Sequence, residues 1–306
     1  MKKILVIVGP TAIGKTALAI QLAQFYNCKI ISCDSRQFYK EMTIGTAVPS
    51  KEELDAVEHY FIQNKSIFEK YTVGDYEKEA INLITSLHKT DDYVIVVGGS
   101  GLYVSAILNG FDAFPEISNT VREKVKLAFG LYGIGYLVEQ LQIFDFEYYE
   151  KIKTENPQTL QNPQRMMRFV EVCLGTGQSY SSFLNRKATQ RAFESIVIGL
   201  EAERSVLYDR INQRVDLMVG AGLEAEALQL HEYQSLNALQ TVGYKEFFDY
   251  FEGKISREFA IEEIKKNTRR FSKRQLTWFK KMDYVHWFDY LTSTKNIIEH
   301  INLQIK

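Results

Sequence analysis

Residues 3–16 read KILVIVGPTAIGKT, and the architecture follows from this stretch. Residues 3–8 are a short run dominated by branched apolar side chains, as in a strand buried on both faces. Gly9, Pro10, Thr11, Ala12, Ile13, Gly14, Lys15 and Thr16 follow in the spacing G-x-x-x-x-G-K-[ST]. Next, KTALAIQLAQFY (15–26) sets Leu18, Leu22 and Phe25 at helical spacing. Strand, glycine loop and helix in this order make a phosphate-binding loop. Glycines let backbone N–H groups turn inward, and the helix N-terminus favours an anion by about 0.3–1 kcal/mol. Lys15 adds a full positive charge, and the Thr16 hydroxyl can hold Mg²⁺. The motif specifies a diphosphate or triphosphate; it does not specify ATP.

The same pattern recurs outward from this loop. KIISCDS (29–35) reads as a second strand ending at Asp34, and YVIVVGGSGLYVSAIL (93–108) as strand, Gly-Gly turn and helix. ESIVIG (194–199) is one more strand candidate. Short apolar strands alternating with helices predict an α/β fold: a parallel, P-loop NTPase-like sheet flanked by helices. Between 113 and 193 the strand signals vanish and helical patterns dominate, with turn signals at the two NPQ triplets, 156–158 and 162–164. The expected organisation is therefore a core from 1–112 and 194–306 with C-terminal helices, interrupted by a mostly helical insertion, 113–193.

Composition narrows the function classes. A formal net charge of -1 argues against a surface coated in basic charge, while leaving room for a local basic face. Cys28, Cys33 and Cys173 form no even disulfide set and read as reduced thiols. The opening MKKILVIVGP superficially resembles a signal peptide, but its apolar run stops at Gly9, too short for an h-region of roughly 7–15 residues. No stretch approaches the ~20 apolar residues that span a bilayer. No membrane association and a cytoplasmic location are expected.

Several further residues carry chemistry. Asp34 closes a strand at the sheet end where parallel folds bind ligands, so its carboxylate can accept a proton or orient Mg²⁺. Alone it reads equally as a turn or N-cap aspartate. Gly98, Gly99 and Ser100 end the third strand, where glycine permits close backbone approach and serine offers a hydroxyl; a plain tight turn fits as well. Arg210 and Arg214, four apart, share a helix face and either neutralise a leaving diphosphate or form a solvated pair. KKNTRRFSKRQLTWFKK (265–281) contains no acidic residue, and Ile264, Phe271 and Trp278 recur every seven positions. That predicts one buried face and a cationic remainder suited to a phosphodiester backbone, or an ordinary amphipathic surface helix.

Together the stretches GPTAIGKT, DSRQFYKEMTIGTA (34–47), VGGSGLY (97–103), NPQRMMRFVEV (162–172), RINQRVDLMVGAGLEAE (210–226), TVGYKE (241–246) and KRQLTWF (273–279) resemble one family, the tRNA dimethylallyltransferases, also called tRNA isopentenyltransferases. They occur in the family's order across nearly the whole chain. The resemblance implies transfer of a dimethylallyl group from dimethylallyl diphosphate to N6 of the adenosine 3′-adjacent to a tRNA anticodon. It implies that Asp34 is the general base. It also implies that Lys15, Thr16 and Arg214 grip the diphosphate, with Mg²⁺ at Thr16, and that Ser100 acts near the leaving group where the family usually has threonine.

The tRNA anticodon stem-loop would be met by Asp34, Ser35, Arg36 and Gln37, by Gln164, Arg165, Met166, Met167 and Arg168 in the insertion, and by Gln240, Thr241, Val242, Gly243, Tyr244 and Lys245. Lys273 and Arg274 of the basic stretch would join them, in a protein acting as a monomer. Val48 stands where the family commonly has lysine, and Phe169-Val170 where it has Ala-Leu. A small-molecule kinase on the same loop and a non-catalytic RNA-binding protein are the competing readings.

Overall fold

The computed structural model describes residues 2–110, 112, 114–184 and 190–305. Six parallel strands form one sheet in the order β3-β2-β4-β1-β5-β6. They are β1 (Lys3–Val8), β2 (Ile30–Ser32), β3 (His59–Tyr60), β4 (Tyr93–Val97), β5 (Glu194–Glu201) and β6 (Val285–Asp289). The central β1 is buried along its whole length, as expected of a strand covered on both faces. Leu5 and Ile7 pack on one side of the sheet, Ile4, Val6 and Val8 on the other, each within its own apolar cluster.

The helices are α1 (Lys15–Tyr26), α2 (Lys51–Ala56), α3 (Val73–Leu87), α4 (Gly101–Asn109), α5 (Asn119–Phe144), α6 (Phe146–Glu155), α7 (Pro163–Thr176), α8 (Arg204–Gly220), α9 (Leu223–Leu230), α10 (Lys245–Phe251), α11 (Arg257–Phe279) and α12 (Thr294–Ile305). Local chemistry starts several of them. Ser50 with Glu53 and Thr72 with Asp75 make reciprocal capping boxes for α2 and α3. Both NPQ turn signals prove to be helix starts: Asn156 precedes a 3₁₀ turn (Pro157–Gln161), and Asn162 caps α7 with Pro163 in its first turn.

The chain divides into two compact units, one from Met1–Asn109 with Gln190–Lys306, the other Gly110–Thr189. The first contains the sheet. The second is helical, with a core of Val125, Leu137, Leu141, Ile152, Met166, Phe169 and Val170. Of the expected 113–193 insertion, residues 113 and 185–189 lie outside the described residues.

Two strands escaped the sequence reading, and one expectation needs correction. The strands β3 and β6 carry no clear sequence signal: β3 is two residues long, and β6 is a half-buried edge strand paired only with β5. On α11, the seven-residue series does not form the buried face. Ile264 is buried, but Phe271 and Trp278 are each 39% exposed. The face that packs inward is Ala260, Ile264, Ser272, Gln275 and Phe279.

Candidate active site

The glycine loop leaves β1 and turns directly into α1. Gly14 has φ 107°, a conformation that only glycine enters freely, and Ala12 is held at φ 64°. A left-handed alanine costs about 1–2 kcal/mol. Its carbonyl accepts Arg210 Nε at 2.8 Å, while Lys15 Nζ donates to the Pro10 carbonyl at 2.7 Å. Two cations thus draw loop carbonyls aside, and the first-turn amides of α1 have no intrahelical acceptor.

Asp34 lies two residues beyond β2. Its Oδ1 accepts the Arg36 N–H at 2.9 Å. Ser100 closes over the same turn: its Oγ accepts the Ser35 N–H at 3.0 Å and donates to Ser35 Oγ at 3.1 Å. The β4–α4 turn therefore latches the Asp34 loop. From α8, Arg214 approaches the same point. Burial lowers its pKa, and the charges of Asp34 and then Glu53 resist that shift. Lys15 is pushed down to about 7, first by withdrawal from water and second by Arg214, with Asp34 opposing.

Two cavities meet here. The smaller, about 410 Å³, is lined by residues 11–17 of the loop and by Gly98, Gly99, Glu53, His59 and Arg210. The larger, about 780 Å³, is lined by Ser35, Arg36, Ser100, Gln240, Thr241, Val242, Gly243, Lys245 and Arg274, with Ile211, Val215 and Met218 as apolar wall. Thr11, Asp34, Thr46, Arg214 and Phe271 line both, so the carboxylate sits where an anion cradle opens onto a cavity of ligand size.

Gln37 also lines the smaller cavity, and the remaining candidate residues are placed differently. Gln37 is occupied internally, accepting from Ser32 Oγ at 3.0 Å and donating to the Ala47 carbonyl at 2.9 Å. Tyr244 is fully buried and donates to Glu226 at 2.6 Å, and Met166 is fully buried in the second unit. Neither side chain offers an exposed contact, because each fills a core. On the outer side of α7, Gln164 and Arg165 are exposed, Met167 is half-buried, and Arg168 lies 5.5 Å from the Phe114 ring centre. Phe169 and Val170 are core, and Val48 is half-buried with its amide on the Thr43 carbonyl at 3.1 Å.

The expected uncompensated charge on α11 is also corrected. Lys265 pairs with Asp216 and Glu262, Lys266 with Glu263, and Lys280 with Glu201. The acids come from α8, β5 and the preceding helical turn, outside the basic stretch itself. Lys273 and Arg274 are both exposed.

Three residues were not singled out by the sequence reading. Glu226 accepts the amides of Thr43, Ile44 and Gly45 at 3.0, 2.8 and 2.9 Å, anchoring the loop that walls both cavities. In GLEAE it resembles any helical glutamate. Gln275 is buried between the phosphate loop and the β4–α4 turn. His59 holds the Val57 carbonyl at 2.7 Å through Nδ1, leaving Nε2 without a hydrogen-bond partner among the described residues. Burial lowers the His59 pKa against the Val57 contact. No group of three metal-ligating His, Cys, Asp or Glu residues occurs among the described residues, and no described helix is long and apolar enough to cross a membrane.

Residues 37–282 match the family model described as IPP transferase. A protein of Flavobacterium johnsoniae named tRNA dimethylallyltransferase is 63% identical over 306 residues, covering 100% of this chain and 99% of the relative. Among solved structures, the full-length tRNA isopentenylpyrophosphate transferase of Bacillus halodurans is 37% identical with a TM-score of 0.71, over 100% of this chain and 96% of that one. A eukaryotic dimethylallyltransferase acting on tRNA is 26% identical with a TM-score of 0.84, over 100% of this chain and 80% of that one. With its phosphate loop and carboxylate set between two joined cavities, the chain belongs to the IPP transferase family.

Proposed function

We propose that this protein transfers a dimethylallyl group from dimethylallyl diphosphate to N6 of the adenosine 3′-adjacent to the anticodon in tRNA, giving N6-isopentenyladenosine. The observation that carries this reading is the place of Asp34 at the junction of the two cavities, beside Lys15 and Arg214. The diphosphate lies in the smaller cavity against the loop amides, Lys15 and Arg214. The adenine, extruded from the anticodon loop at a cost of a few kcal/mol, enters the larger cavity between Arg36, the 240–245 segment and Arg274. Exposed Gln164 and Arg165 on α7 offer further contacts for the tRNA. Its N6 attacks C1 of the prenyl group as the C1–O bond breaks. The electron pair leaves with the diphosphate, and the N6 proton passes to the Asp34 carboxylate. Charge accumulates on the leaving oxygens, where the amides and cations are already oriented.

Thr16 lines the smaller cavity with a hydroxyl of the kind that holds Mg²⁺ together with substrate phosphates and water. When bound there, the ion supplies further positive charge to the diphosphate. The enzyme works in the cytoplasm as a single chain.

Mass analysis of nucleosides from tRNA incubated with the protein, Mg²⁺ and dimethylallyl diphosphate tests the assignment. N6-isopentenyladenosine is expected. ATP-dependent phosphoryl transfer with no prenylated nucleoside would replace it with a kinase. Within the reading, Arg214→Ala should weaken donor binding by roughly 10- to 100-fold, the worth of a lost charge-assisted contact of about 1.5–3 kcal/mol, and alter tRNA binding far less. Equal losses for both substrates, measured by equilibrium titration, would remove Arg214 from the diphosphate site.

A further inference from the structure

Gln275 on α11 is 6% exposed, and both ends of its amide are engaged. Its Oε1 accepts the Thr11 N–H of the phosphate loop at 2.8 Å. Its Nε2 donates to the Gly99 carbonyl at 2.9 Å. A Cβ on residue 99 would stand 2.2 Å from that nitrogen, so the turn admits the amide only because Gly99 is glycine. The next residue, Ser100, holds Ser35 beside Asp34 at 3.0 and 3.1 Å. One buried side chain therefore connects the diphosphate loop to the turn that latches the carboxylate.

Phosphate loops ordinarily present their amides to the anion. Here the Thr11 amide is taken by protein instead, which gives up one contact to phosphate and fixes one point of the loop. The polarity is specific. An acceptor meets an N–H and a donor meets a carbonyl, an arrangement that a carboxylate cannot reproduce. We infer that Gln275 is a positioning residue that sets the spacing between the leaving diphosphate and Asp34; this rests on the function proposed above. Gln275 acts through Thr11 and Ser100. Such spacing matters because a displacement of about 1 Å between reacting groups costs on the order of 10²-fold in rate.

Two variants of the full-length chain test this. Gln275→Met keeps length and burial and removes both bonds. At saturating tRNA and dimethylallyl diphosphate, its single-turnover rate constant should fall roughly 30- to 100-fold, with both dissociation constants within about threefold of wild type. Gln275→Glu accepts from Thr11 but, when ionised, sets a carboxylate oxygen against the Gly99 carbonyl. Protonated, it regains the donor, and burial raises its pKa. Its rate relative to wild type should therefore rise as pH falls from about 8 to about 6.

A Met variant within about threefold of the wild-type rate, or one whose loss lies wholly in binding, would overturn the role. If the Met variant does not fold, a pH-independent Glu-to-wild-type ratio overturns it. Amide hydrogen exchange at Thr11 reads the bridge without any turnover: protected in wild type and at least about tenfold faster in Gln275→Met. Equal protection would deny the bridge. A wild-type protein that transfers nothing would instead sink the assigned reaction, leaving the exchange result to decide the bridge.

Discussion

Asp34→Ala is expected to lose nearly all prenyl transfer while tRNA binding is largely kept. A positioned general base contributes about 10²–10⁴-fold, so the transfer rate should fall by at least two orders of magnitude. Asp34→Asn is the sharper variant. Its side-chain oxygen can still accept the Arg36 N–H that Asp34 accepts at 2.9 Å, so the turn is kept and only the proton acceptor is lost. Single-turnover assays with filter-binding controls separate the two effects. An Asp34→Asn enzyme that retains activity within tenfold of wild type would show that another group takes the N6 proton.

Lys15→Met should be comparably damaging, and its pH behaviour identifies the cause. In the free protein the Lys15 pKa is lowered to about 7, chiefly by burial. A bound diphosphate favours the charged lysine and draws its pKa up again. Below pH 7 the proton is already present; above it, binding must take one up. Donor affinity should therefore weaken with rising pH above about 7, by up to about tenfold per pH unit, in a range where the phosphates are already ionised. In Lys15→Met this dependence should vanish along with most of the affinity. Calorimetry in buffers of different ionisation enthalpy measures the proton uptake directly, and uptake undiminished in Lys15→Met would assign it to another group.

Stability carries the opposite sign. The unfolded chain, with Lys15 near its ordinary 10.5, binds more protons than the folded one between about pH 7 and 10.5. The Lys15 contribution to folding thus becomes more favourable as pH rises through that window. Below it, the charged lysine is a burden. The ligand-free Met variant should be at least as stable as wild type at pH 6–7, by thermal melting.

Much of this was legible in the chain. The run at 3–8 and the helix at 15–26 coincide with β1 and α1, because a fully buried strand and a long helix each leave an unbroken local pattern. The ends of β2 and β4 marked Asp34 and Ser100 as neighbours of the loop through the rule that parallel sheets bind ligands at their carboxyl edges. What escaped had weak local signals. β6 is a half-exposed edge strand, and Glu226 looks like a surface helix residue until the 43–45 amides fold onto it. The cations of 265–281 look uncompensated because the acids that meet them, Asp216 and Glu201 across the fold and Glu262 and Glu263 one turn earlier, all lie outside that stretch.

The glycine-loop motif, the parallel α/β core and the family were legible before any coordinates, because each rests on stretches of residues adjacent in the chain. Packing alone brings particular cations to Asp34, spends particular polar side chains internally, and joins the loop to the β4–α4 turn through Gln275. Those outcomes depend on desolvation and hydrogen-bond geometry between residues distant in the chain. Such quantities have no value until the sheet has brought the loops together.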